Sequence, residues 1–130
     1  MAQLIVAKTL LMATALIETP IGVMLLVSPA LVVSLLLGAS LDAPAALAVA
    51  RMAGAALLSL GGACWVARND GPNPAVRGLI AAMALYNSVA VAVLASAGAG
   101  ARLVGVLTWP AVVLHAALAV WCIASLRVGR

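Results

Sequence analysis

Three ionisable residues interrupt long apolar runs in this chain: Glu18, Arg51 and His115. Such a group at bilayer depth costs at least ~2.5 to 3.5 kcal/mol, so each needs a partner or a purpose. A carboxylate there can carry a proton or bind a cation, and an imidazole can exchange a proton or accept a hydrogen bond. Tyr86 and Asn87 add a hydroxyl and an amide near the middle of the third apolar run, and His115 lies near the middle of the fourth. Glu18, Arg51, Tyr86, Asn87 and His115 are therefore the candidate lining of one intramembrane ligand or ion pocket.

Counting from the helix ends expected for the first two runs, Glu18 and Arg51 reach similar depth, within roughly 5 Å at 1.5 Å per residue. The count predicts an ion pair between them. That pair either clamps two helices or forms part of the pocket. One histidine cannot build a bis-histidine haem site, and no set of three zinc ligands assembles around it. Cys64 and Cys122 lack metal-binding or disulfide-framework spacing and read as small apolar filler. The pattern names no catalytic residue, metal or cofactor.

The elements that must position these residues follow from composition. The chain is 67% hydrophobic and 8% charged, with a mean hydropathy of +1.28. A soluble domain carries about 25% charged residues, so this one belongs in lipid. Its 130 residues have room for four or five spans of roughly 20 residues and no separate soluble catalytic domain. The predicted fold is an all-α, four-helix membrane bundle forming a single transmembrane domain over 1–130. Its spans are expected at about 4–27, 45–67, 78–97 and 103–126. The apolar segment 30–38 is too short to cross and reads as an interfacial or re-entrant helix.

Punctuation supports these bounds. Pro20 removes a donor inside the first span, Asp42 is placed to cap the second, RNDGPNP (68–74) separates the second from the third, and Pro110 is expected to bend the fourth. Small residues recur at helical spacing: Ala46, Ala50, Gly54 and Gly62 on the second span, and Ala84, Ser88, Ala92, Ser96 and Gly100 on the third. Such stripes let helices approach closely in lipid. Leu47, Arg51, Gly54, Leu58 and Gly61 share one helical face, as do Thr108, His115, Ala119 and Cys122.

The net charge of +4 comes from basic residues scattered at helix ends, a topology signal rather than a nucleic-acid patch. With the N-terminus inside, Lys8, Arg68, Arg77, Arg127 and Arg130 fall on the inner side and Arg102 on the outer. The expected placement is thus a multi-pass protein of the inner (plasma) membrane with both termini cytosolic, and Trp65 and Trp121 at the inner interface. Lys8 is expected to snorkel to the headgroups and is given no site role.

In placing one carboxylate in the first of four helices, the run Ala15-Leu-Ile-Glu18-Thr-Pro-Ile-Gly22 is similar to the small multidrug resistance transporters. The likeness implies proton-coupled exchange at Glu18 and covers that helix alone. The family's aromatic-rich third helix is missing, and Arg51 adds a charge. The leading expectation is binding or passage of a small molecule or ion through the polar pocket, in a homo-oligomer or larger membrane complex. The second is an accessory subunit of such a complex, and the third an intramembrane enzyme acting on a lipidic substrate.

Overall fold

The computed structural model describes residues 2–71 and 73–128. Those residues form five helices: α1 (Ala2–Val27), α2 (Pro29–Leu37), α3 (Pro44–Ala67), α4 (Pro74–Ala99) and α5 (Thr108–Val128). Four of them, α1, α3, α4 and α5, are long and apolar enough to cross a membrane. The all-helical four-helix bundle read from composition is the architecture found, and α2 is the short extra segment. Arg130, counted above among the basic residues of the inner side, lies outside the described residues.

Helix ends are set by local chemistry. Asn73 caps α4, its side-chain oxygen accepting from the Val76 N–H at 2.9 Å, with Pro74 in the first turn where no donor is needed. α4 therefore starts four residues before the expected Gly78. Gly38 closes α2 in the left-handed region, φ 64°, and returns its N–H to Ser34 at 2.9 Å. The capping residue of α3 is Ala43, without a side-chain bond, so Asp42 does not cap it. Pro44 at the helix start supplies the signal instead.

The fourth span begins at Thr108 rather than Leu103. Leu103 turns back to the Ala97 carbonyl, and Arg102 sits at φ 54°, so 101–107 is a loop. Pro110 consequently lies in the first turn of α5, where it displaces no helical bond and has no reason to bend the helix.

The closest pairings are α1 with α3 and α4 with α5. Glycine sets the first. A Cβ on Gly22 would lie 2.7 Å from the Leu58 nitrogen, and one on Gly54 would lie 2.8 Å from the Gly22 oxygen, so the two backbones touch. Gly61 continues this seam against Thr19. Gly62, expected in the seam, has nothing within 4 Å and faces outward, because it lies one residue round the helix from Gly61. The expected stripe on α4 is also mostly turned out. Ser88, Ala92, Ser96 and Gly100 are exposed, and the buried face is Val76, Ile80, Met83, Asn87, Leu94 and Gly98.

One core cluster ties the two pairs together. Leu10, Leu11 and Ala15 of α1, Cys64 of α3, Val76, Ile80 and Met83 of α4, and Leu118 and Cys122 of α5 pack in it. These residues belong to the N-terminal half of α1 and the C-terminal half of α5, so the start of α1 and the end of α5 lie at this end of the bundle. At the far end α2 meets the 101–107 loop: the Leu107 N–H donates to the Leu35 carbonyl at 2.9 Å, and the Thr108 hydroxyl donates to the Leu36 carbonyl. Carbonyls left free at the end of α2 thus find donors in the 101–107 loop and the start of α5.

Candidate intramembrane polar site

On α1 the buried face runs Leu10, Leu11, Thr14, Ala15, Glu18 and Gly22. Its spacing is that of one helical stripe, which carries two polar residues four apart into the interior. Glu18 is 2% exposed and Thr14 0%. Among the described residues, the Thr14 hydroxyl oxygen and Glu18 Oε1 have no hydrogen-bond partner. A threonine in a helix commonly returns its hydroxyl to the carbonyl one turn back; here that oxygen is left over.

Across the interior, α4 and α5 supply a connected group. The Asn87 amide nitrogen donates to the Met83 carbonyl at 2.8 Å, and its Oδ1 lies 2.7 Å from His115 Nδ1. With the amide NH₂ committed to a carbonyl, Oδ1 is the acceptor and His115 Nδ1 carries the proton. In the neutral ring Nε2 then retains its lone pair. Tyr86 meets the imidazole edge to face, with ring centroids 5.6 Å apart at 84°. The Tyr86 hydroxyl lies on the Glu18 side of this group, close enough for the two side chains to interact. There the α1–α3 pair meets the α4–α5 pair.

Of the five expected pocket residues, Glu18, Tyr86, Asn87 and His115 come together and Arg51 does not. The expected ion pair is absent. Arg51 is exposed and its Nε donates to the Leu26 carbonyl at 3.3 Å. Leu26 is two helical turns from Glu18, roughly 12 Å along α1. The glycine seam explains the displacement: it sets Gly54 against Gly22, so α3 runs past the end of α1 and the two outer ends are not level. Depth counted from each helix's own end was therefore measured from different planes. Among the described residues no cation pairs with Glu18.

The residue missed in the sequence is Thr14. Its signal was its position, one turn before Glu18 on the same face. Thr108, fully buried at the start of α5, has a different task. It accepts from the Gly105 N–H at 2.9 Å while donating to Leu36, and so fastens the loop to α2. Among the described residues no group of three or more His, Cys, Asp or Glu could hold a metal ion. Compared with family models, curated proteins and solved structures, the chain matches none.

Proposed function

We propose that the protein binds a small cation, a proton in the first place, at membrane depth, with Glu18 as the binding group. Thr14, Tyr86, Asn87 and His115 form its polar surroundings. The observation that carries this reading is a carboxyl group 2% exposed, with one oxygen unpartnered and no cation on it among the described residues. Isolated charge in hydrocarbon is expensive, so a proton or a small cation has to occupy that carboxyl whenever the interior is closed. Thr14 Oγ1, one turn away and also unpartnered, offers a second oxygen to the same occupant or to a water bound with it. We place the protein in the plasma membrane with both termini cytosolic, as its basic residues indicate.

The test is infrared difference spectroscopy on the purified protein in lipid, stepped between acid and alkaline pH. A protonated-carboxyl band that disappears on alkalinisation in wild type and is missing in Glu18→Gln supports the proposal. An identical band in both proteins sinks it. Proton flux into vesicles, measured in the same preparations, separates passage from binding.

A second reading, an accessory subunit of a larger membrane complex, draws on the outward stripe of Ser88, Ala92, Ser96 and Gly100. Small residues at this spacing suit close docking by another helix. Ser88→Leu and Ala92→Leu would block such docking while leaving the infrared band unchanged.

A further inference from the structure

At the end of the bundle where α1 starts and α5 ends, a cavity of about 230 Å³ opens between α1, the end of α3 and the start of α4. Its floor is apolar, with Ile5, Leu11 and Val76, and its polar lining includes Lys8, Arg68 and Asn69. Asp70, the acid of this loop, does not line it. The volume is several times the ~30 Å³ share of one water molecule, so the space suits a larger group. Arg68 is held in place: its Nη1 donates to the Trp65 carbonyl and its guanidinium stacks on the Trp65 ring, 3.9 Å from the centroid. Stacking and one bond leave further guanidinium N–H donors for a ligand. Lys8 is exposed, one turn in from the start of the span Ile5–Val27, on a stem long enough to reach the same level.

An exposed ammonium, a stacked guanidinium and an amide thus line a hollow that also has apolar walls, at the edge of the membrane-crossing helices. We infer that this cavity is a binding site for an anionic phospholipid, its phosphate between Lys8 and Arg68 and the start of its acyl chains on Ile5, Leu11 and Val76. The phosphate accounts for the charge, and the chains account for the apolar floor that a free anion would leave wet. Basic pockets between helices at a membrane face take lipid headgroups in this way. The site shares no residue with the polar cluster around Glu18, so either proposal can fail without the other.

The experiment is a titration of full-length protein in mild detergent with phosphatidylglycerol, read by native mass spectrometry. Phosphatidylcholine and inorganic phosphate form parallel arms. Each cation contributes about a fivefold gain in affinity, so Lys8→Gln or Arg68→Gln should weaken phosphatidylglycerol about fivefold and the double variant about thirtyfold. Arg102→Gln, in the loop at the opposite end, should bind like wild type. Lys8 is exposed, so loss of binding in Lys8→Gln is not a folding defect, and Lys8→Arg should restore it. Equal binding of the two lipids, unchanged affinity in the double variant, or displacement of phosphatidylglycerol by millimolar phosphate alone would each overturn the lipid site.

Discussion

Gly54 and Gly62 lie two turns apart on α3, and the same substitution at each should have opposite consequences. A methyl group at Gly54 would meet the Gly22 oxygen and the Leu25 Cβ at 2.8 Å and the Leu26 nitrogen at 3.0 Å. Two of these atoms are backbone, so relief requires α1 and α3 to separate by several tenths of an ångström along their seam. Overpacking of this kind costs about 1 to 3 kcal/mol. At Gly62 the methyl meets nothing within 4 Å. Alanine also gains about 1 kcal/mol over glycine from helix propensity, but that gain applies at both positions and cancels in the comparison. Gly54→Ala should therefore be less stable than Gly62→Ala by about 1 to 3 kcal/mol. Reversible unfolding of the two variants in mixed detergent micelles, followed by circular dichroism, measures the difference. Equal stability would mean that α1 and α3 do not meet at Gly22 and Gly54, and the displacement of Arg51 from Glu18 would lose its basis.

Other outcomes follow from the same geometry. Glu18→Leu and Arg51→Met should change unfolding free energy additively, within about 0.5 kcal/mol, because the residues share no contact; a larger coupling restores the ion pair. Asn87→Leu and His115→Leu should instead couple by about 0.6 kcal/mol, and at most about 1.7 kcal/mol, in a double-mutant cycle, the mean and maximum for hydrogen bonds between membrane helices. Thr108→Val should cost about 1 to 3 kcal/mol by leaving the Leu36 carbonyl and the Gly105 N–H unpaired, and Thr108→Ser should recover most of it. Faster protease cleavage in 101–107 of Thr108→Val reads out the loosened loop.

How much of this was legible beforehand differs residue by residue. Glu18, Asn87 and His115 could be selected because polar groups are rare in membrane helices and the few present turn inward. Their meeting followed once three apolar helices carried them at middle depth. Arg51 was misplaced because sequence gives distances along a helix and says nothing of the offset between two helices. That offset is set by which glycines meet, and Gly61 and Gly62 differ only in which side of α3 they occupy. The stripe on α4 failed for the same reason: periodicity defines a face without saying what lies opposite. Thr14 was passed over because a helical threonine ordinarily satisfies its own hydroxyl on the preceding turn.

The two sides of the polar site are built differently, and that bears on how it could work. Asn87 and His115 belong to the closely paired α4 and α5, and their bonds end on the Met83 carbonyl, within α4 itself. Thr14 and Glu18 sit on a helix pinned to α3 by backbone contact at Gly22 and Gly54. Each side is thus closely packed within its own pair, and between the pairs the Tyr86 hydroxyl approaches Glu18. On the proposed reading, a change in what occupies the carboxyl is felt by that neighbouring hydroxyl. A protonated carboxyl can donate as well as accept, whereas a carboxylate only accepts, so under that proposal proton loss changes what Glu18 offers its neighbours. Under the proposed reading, charge left on Glu18 favours admitting water or a cation to Thr14 Oγ1 and Glu18 Oε1, two buried oxygens without a hydrogen-bond partner among the described residues.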